Sequence, residues 1–466
     1  MKNKLIFLLL IFVVLATTGL SCSSTTQEVL QKSEPITLTF WRVWDGPDAF
    51  DTIISDYKKL HPNITIDYRK FTYAEYEQQL LNAFAEDRGP DIFSIHNTWI
   101  KKYQSKIAPM PAQTTMAYQV EQGTIKKETV TQLKTSSSLT LKDLKNNFVD
   151  AVYSDVVIKV SDVENKTSTE QVFGLPMSVD TLAMFYNKDL LNNAGIATPP
   201  AYWNTEFQQD VKKLTKQDTG GNIIQSGVAM GGSQNIERYS DILSVLMMQN
   251  GAKMMDDSGS VLLQSSPDYY RSQGYNPALE ALRFYIDFSD PAKEVYSWNS
   301  TLSNSLNMFT QGKLALMFGY AYHLPTIRAT APKLNFGIAE LPQIEGGAQK
   351  INFANYWVET VSKKSKNTDA AWDFIQFATK AENVKSYLAA TKKPTALRSL
   401  ISSQLNDLDI SPFANQVLTA QSWYKGADSN AMELIMGDMI DSAVKGEDKI
   451  NNLLNIAGQR IQQTVR

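Results

Sequence analysis

Between residues 36 and 95 the apolar pattern switches repeatedly between two periods, and this alternation narrows the possible folds more than any other feature. Ile36-Thr37-Leu38-Thr39-Phe40-Trp41 reads as a strand, and from Asp48 to Leu60 the residues Phe50, Ile53, Ile54 and Tyr57 recur at helical spacing. Ile64-Thr65-Ile66 alternates again. Thr72-Tyr73-Ala74-Glu75 has the form of a capping box, after which Tyr76, Leu80, Leu81 and Phe84 share one helix face. Gly89-Pro90 stops that helix, and Asp91-Ile92-Phe93-Ser94-Ile95 is a short strand. Strand, helix, strand, helix, strand implies a parallel sheet with helices on its faces. Ligands of such sheets bind outside the carboxyl ends of the strands. Trp44 and Asp45 after the first strand, and His96, Asn97 and Trp99 after the third, are therefore candidate contacts.

Between Pro111 and Ser138 the pattern dissolves into Thr, Gln, Ser and Lys, which suggests an elaboration in the form of a hairpin. Regular structure then returns. Residues 182–186 read as a strand, and Trp203, Phe207, Val211 and Leu214 mark a helix. A strand at 227–230 runs into Gly231-Gly232-Ser233, with Gln234 and Asn235 in the loop beyond. The helix that follows is stopped by Asn250-Gly251. A strand at 314–318 leaves through Gly319-Tyr320-Ala321-Tyr322, which puts Tyr320 and Tyr322 at another strand end. The expected class is α/β, in two units with mainly parallel sheets.

The first 22 residues are of a different kind. Lys2 and Lys4 precede an unbroken apolar run from Leu5 to Ala16, then small residues, then Leu20-Ser21-Cys22. A basic start, a short apolar core and a small-residue cleavage site make up a secretory signal. The run is shorter than the roughly 20 residues that a spanning helix needs. Cys22 is the only cysteine, so an exported form has no internal disulfide. The pattern resembles a bacterial lipoprotein signal, with lipidation expected at Cys22, although leucine stands two places before the cysteine rather than three. The expected division is a signal at 1–21 and a polar tether at 22–35.

Forty-five basic and 48 acidic residues give a net charge of −3, which argues against a nucleic-acid partner. His61, His96 and His323 are too scattered for a metal site, and Asp256-Asp257-Ser258-Gly259 reads as a turn rather than a calcium loop. No cofactor fingerprint or nucleophile elbow is present, so no catalytic residue and no cofactor are assigned.

Four further segments occur in an order that resembles the extracellular solute-binding proteins of ABC importers, family 1, the group that includes maltose-binding protein. They are Gly89-Pro90-Asp91-Ile92, then Gly174-Leu175-Pro176 with Tyr186-Asn187-Lys188-Asp189-Leu190, then 309–316, then the helix with Asp369-Ala370-Ala371-Trp372. Pro111–Ser138 looks like an insertion, and Ala354-Asn355-Tyr356-Trp357 stands where the family often has a glycine-rich stretch. The resemblance implies a two-lobed periplasmic-binding-protein fold with a hinge of crossover strands. The first lobe would comprise 36–178, with an insertion near 111–138, and the return 358–408. The second would comprise 183–352 and the C-terminal helices at 413–466. It also implies a lipid-anchored, extracytoplasmic, monomeric receptor that captures a carbohydrate in an interlobe cleft and delivers it to the transmembrane subunits of an ABC permease.

A sugar presents hydroxyls that donate and accept and faces made of C–H groups, so its site wants carboxylates, amides and aromatic rings. Beside the strand-end residues, the resemblance adds Asp180, in a crossover where the family has an acidic residue for sugar hydroxyls. It also adds Trp357, and it sets Tyr320 and Tyr322 where the family has aromatics. Tyr320 is expected to stack on a sugar ring. Another polar solute, such as a polyamine or peptide, is the alternative ligand. A secreted glycosidase would need two carboxylates facing each other across the scissile bond, for which Asp45 and Asp180 are the candidates.

Overall fold

The computed structural model describes residues 21–124, 126–162, 167–347 and 349–466. The expected signal at 1–21 lies outside the described residues except for Ser21. The expected tether is not irregular: Ser21–Lys32 is a helix. Glu28, Leu30, Gln31 and Lys32 are good helix formers. The helix end is tied down, because Asn63 Nδ2 donates to Lys32 O at 3.1 Å and Ser33 Oγ donates to Val29 O at 2.6 Å.

The chain divides into two compact units, 21–94 with 106–140 and 359–387, and 95–105 with 141–358 and 388–466. These limits differ from those implied by the resemblance, since 95–105, 141–178 and 388–408 join the second unit. Within that unit, isolated bridges pair Phe148 with Leu397 and Ser178 with Thr395.

The first unit is built on β1 (Ile36–Val43), β2 (Ile64–Phe71), β3 (Ile92–His96) and β4 (Ile107–Ala108). Their sheet also takes in Trp357–Ser362, in the order β2, β1, β3, Trp357–Ser362, β4. β1 pairs in parallel with β2, from Ile36 against Ile64 to Val43 against Phe71, and in parallel with β3. The helix Asp51–Leu60 buries Ile53 and Tyr57. The helix Tyr73–Ala85 has the expected capping box at Thr72 and Glu75 and buries Tyr76, Leu80 and Ala83. Leu81 lies on its exposed side, contrary to the expected face. Phe40 sits at the centre, edge-on to Phe50, Tyr68 and Phe374 at 5.3–5.9 Å. Burying one such ring stabilises by about 1.5–3 kcal/mol.

The elaboration after Pro111 is a hairpin of β5 (Gln113–Gln122) and β6 (Glu128–Ser137), in register from Gln113–Ser137 to Gln122–Glu128. Its base is fixed by one buried carboxylate. Asp373 accepts hydroxyl bonds from Thr114 and Tyr118 of β5 at 3.3 Å each and from Tyr57 at 3.0 Å. His61 joins them, with Nδ1 at 2.9 Å from Ala117 O and Nε2 at 3.5 Å from Asp373. Burial lowers the His61 pKa.

The second unit adds an unanticipated hairpin of β7 (Val157–Asp162) and β8 (Thr167–Val172). Then come β9 (Asp180–Thr181), β10 (Ala183–Asn187), β11 (Lys216–Gln217), β12 (Ile223–Val228), β13 (Leu314–Gly319), β14 (Phe336–Ala339) and β15 (Asn352–Asn355). The last two strands are β16, the Trp357–Ser362 already met, and β17 (Ala420–Gln421). The main sheet runs β11, β12, β13, β10, β14. It is not mainly parallel. β10 opposes both β13 and β14, and β11 opposes β12, leaving β12–β13 as the parallel pair. β13 is buried along its whole length, and a strand covered on both faces reads as a continuous apolar run. Such a run carries no mark of its neighbours' direction. A small sheet, β17-β15-β9, sets Asn355 directly opposite Asp180.

Candidate functional site

The expected site residues fall in both units, and each group has its own setting. In the second unit, the turn after β3 places His96 at the N-cap of a short turn, Asn97–Trp99. His96 Nδ1 lies 2.8 Å from Thr98 Oγ1 and accepts from Thr98 N at 3.4 Å. That assigns the proton to Nε2, which meets Asn355 Oδ1 at 3.2 Å. Burial, with a smaller push from the Arg238 charge, lowers the His96 pKa to about 4. The ring is therefore neutral at physiological pH, with fixed donor and acceptor sides. Trp357 packs edge-on against His96 at 5.9 Å and against Trp99 at 5.5 Å. Trp99 Nε1 donates to Ser429 Oγ at 3.1 Å.

Asn97 turns inward. It is buried, and its Nδ2 donates to Asp155 Oδ2 at 3.0 Å. Asp155 also accepts from Tyr356 OH at 2.7 Å and Ser422 Oγ at 2.6 Å and pairs with Lys425. Asn97 thus belongs to a buried polar network that fixes the loop.

The second group gathers around β9 and the end of β13. Asp180 Oδ1 accepts backbone N–H bonds from Thr181 at 2.9 Å and Ala321 at 3.2 Å. Burial nevertheless raises its pKa to about 7. Tyr320 does not present its ring as expected. It has no exposed surface, and its hydroxyl donates to Asp241 Oδ2 at 2.6 Å. The ring that reaches the surface is Tyr322, 41% exposed, stacked on Tyr320 at 5.7 Å and on His323 at 4.2 Å. A two-residue step along a strand exit is enough to exchange the buried and exposed roles.

Sequence reasoning missed Arg238, Asp241, Glu433 and Asn355 as participants. Arg238 stands at φ 56° before the helix Tyr239–Gln249. Its Nε and Nη2 grip Asp241 at 2.9 and 3.0 Å, and Nη2 also meets Glu433 Oε1 at 3.0 Å. Burial raises the pKa of Glu433. The available signal was an Arg and an Asp three apart at a helix start just after a Gly-Gly loop. Asn235 is a loop brace: Oδ1 accepts from Trp298 Nε1 at 2.9 Å, and Nδ2 donates to Asn299 O and Leu302 O. Gln234 is exposed and meets Asp441 Oδ2 at 3.4 Å.

In the first unit Asp45 is buried rather than presented. Its carboxylate accepts from Tyr387 OH at 2.8 Å and lies 3.3 Å from Arg42, which also pairs with Glu359 at 3.0 Å. Trp44 beside it is 48% exposed. The Asp45 carboxylate is taken up by Arg42 and Tyr387, and Asp180 Oδ1 by two backbone N–H groups.

Within the second unit the arrangement offers a neutral imidazole, amide and carboxylate groups and rings, with charges paired to one another. That set can hydrogen-bond and stack on an uncharged polar molecule. Among the described residues, no group of three or more His, Cys, Asp or Glu is placed to hold a metal ion. A binding protein of Brucella abortus is 27% identical over 312 residues, 63% of this chain and 67% of the relative. The maltodextrin-binding protein of Bacillus subtilis is 23% identical over 324 residues, 65% of this chain and 70% of the relative. The crystal structure of the cyclic alpha-maltosyl-1,6-maltose binding protein from Arthrobacter globiformis superposes with a TM-score of 0.70 at 19% identity, covering 92% of this chain and 99% of that one. The expected α/β fold with two lobes is thus the fold found. The family described as bacterial extracellular solute-binding protein matches residues 44–385, most of the chain, and the chain belongs to that family.

Proposed function

We propose that this protein is the receptor of an ABC importer that captures a carbohydrate and delivers it to the permease, tethered to the membrane by a lipid on Cys22. Membership of the family makes it an extracytoplasmic solute-binding protein rather than an enzyme, and the glycosidase alternative falls with that. No helix among the described residues is long and apolar enough to cross a membrane. The observation that carries the carbohydrate reading is the exposed ring of Tyr322 beside the Asp180 carboxyl. C–H faces suit the ring, and ligand hydroxyls suit the carboxyl. Arg238 is already bonded to Asp241 and Glu433, which leaves a neutral ligand favoured over an anionic one. The relatives named for maltodextrin and galactooligosaccharide point the same way.

The test is a thermal-shift screen over mono- and oligosaccharides followed by calorimetry. A ligand at about 100 times its Kd adds roughly 2.7 kcal/mol of stability. A polyamine or peptide that shifts the melt while every saccharide leaves it unmoved would refute the carbohydrate reading.

A further inference from the structure

The alternation along β1 sets Leu38, Phe40 and Arg42 on its buried side, so an arginine occupies a core position near the end of the strand. A guanidinium can stay there only if it is paired and hydrogen-bonded. Its partners come from far along the chain. Arg42 Nε donates to Ser94 Oγ of β3 at 3.0 Å, and Nη2 pairs with Glu359 of β16 at 3.0 Å. Ser94 Oγ in turn donates to Glu359. Since β1, β3 and β16 are successive strands of the sheet, these side chains form a row across it. The helix Ala381–Thr391 closes the row from above. Its Tyr387 hydroxyl donates to Asp45 Oδ2 at 2.8 Å and accepts from Arg42 Nη2 at 3.4 Å. Asp45 lies 3.3 Å from Arg42 Nη1, and the guanidinium lies over the rings of Phe50 and Tyr387 at 4.7 and 5.4 Å.

Stability alone is a poor reason for such a cluster. The cost of taking charges out of water offsets their attraction, and apolar side chains of similar volume often serve a core as well or better. The position of the cluster in the chain supplies another reason. The chain passes between the two units five times, at 94/95, 105/106, 140/141, 358/359 and 387/388. At three of these passages the first unit's terminal residue is Ser94, Glu359 or Tyr387, and all three side chains meet on Arg42. Every group in the cluster belongs to the first unit.

We propose that Arg42 is a conformational staple, which makes these three exits of the first unit open and shift together rather than one at a time. Without it, each exit would loosen by local opening of its own strand or helix end. Tied to one buried charge, the loosening of any exit leaves a carboxylate or the guanidinium short of a partner, which couples the three openings. The first unit then holds together as far as its exits, and bending of the chain falls beyond Ser94, Glu359 and Tyr387. The staple does not depend on the receptor reading, because it is a property of the unliganded first unit.

Native-state hydrogen exchange on the full chain tests it, with no ligand added. Ser94→Ala and Tyr387→Phe each remove one link and leave the charges in place. Arg42→Met combined with Asp45→Asn and Glu359→Gln removes the charges together, so that none is left buried and unpaired. In the wild-type background, Ser94→Ala is expected to speed exchange several-fold at all three exits: in β3, in β16 and around Tyr387. Exchange in β2 and in the β5–β6 hairpin should stay as it was. Tyr387→Phe should spread to β3 and β16 in the same way. In the uncharged background, Ser94→Ala should act on β3 alone, which is the loss of coupling that a double-mutant comparison reads. Acceleration confined to β3 in the wild-type background overturns the staple. So does an equal acceleration across the whole first unit, which would make the cluster an ordinary contributor to stability. Coupling that survives in the uncharged background also overturns it, by showing that Arg42 is not the link. Should the uncharged variant fail to fold, the spread or confinement of the two single variants still decides the matter.

Discussion

Replacing Asp180 by Asn should raise stability and weaken binding in the same protein, and both effects should depend on pH in opposite senses. Burial raises the Asp180 pKa from its ordinary 3.8 to about 7, against the pull of N–H bonds from Ala321 and Thr181 and the Lys393 charge. A folded-state pKa above the unfolded one favours the native state fully below about pH 4, and that contribution is lost as pH rises to about 7. About three pKa units at 1.36 kcal/mol each give a loss of about 4 kcal/mol, as an order of magnitude. Asn keeps an acceptor for Thr181 and Ala321 but has no charge to desolvate. Urea unfolding from pH 4 to 8.5 should therefore show the variant gaining on wild type steadily up to about pH 7 and levelling above it. Binding should run the other way. Ligand hydroxyls donate better to an ionised carboxylate, so wild-type affinity should rise through pH 7 by up to about tenfold, a 1.4 kcal/mol effect. Asp180→Asn should lack that rise. A stability difference that stays flat across this pH range would refute the burial argument. A variant that keeps the wild-type pH profile of binding would remove Asp180 from the site.

The two tyrosines at the end of β13 should separate cleanly. Tyr320→Phe removes the donor to buried Asp241 and should cost about 1.5–3 kcal/mol in a melt, whereas Tyr322→Ala should lower affinity for the saccharide with little change in melting. Asp373→Ala strips Thr114, Tyr118 and Tyr57 of their shared acceptor, and hydrogen exchange should then speed up at the base of the β5–β6 hairpin before it changes in β1. Cys22→Ser should move the protein from the membrane fraction to the soluble one in a bacterial host, and a wild-type protein that is already soluble there would refute the anchor.

Much of the fold was legible because it rests on local patterns. The capping box at Thr72 and Glu75, the parallel pairing of β1 with its neighbours and the hairpin after Pro111 all follow from periodicity and short-range chemistry. Strand direction in the second sheet was not legible, since β13 is buried on both faces and its sequence is the same whichever way β10 runs. The candidate residues were legible as positions at strand ends and not in their orientation. They stand where the periodicity put them, yet Asn97, Asn235 and Asp45 spend their polar groups on the protein itself. The partners that claim them, Asp155, Trp298 and Tyr387, lie 58, 63 and 342 residues away in sequence. No local pattern can announce such a partner.

That distance explains why the exposed rings, rather than the carboxylates, carry the functional argument. A carboxylate at a strand end is ambiguous in sequence, because an ion pair or hydroxyl from anywhere in the chain can satisfy it. Asp45 shows the outcome: with Arg42, Tyr387 and Tyr68 all upon it, its side chain and carbonyl are occupied, and what it fixes is the geometry of Trp44. A ring has no comparable way to be satisfied except by burial. Tyr320 is buried, and Trp44, Tyr73 and Tyr322 are not. Leaving three large aromatics about half in water forgoes roughly 25 cal/mol for every Å² of apolar surface left exposed. Covering any one of these rings with an apolar face recovers part of that stabilisation, so the burial that the native fold leaves undone is available as a driving force for binding.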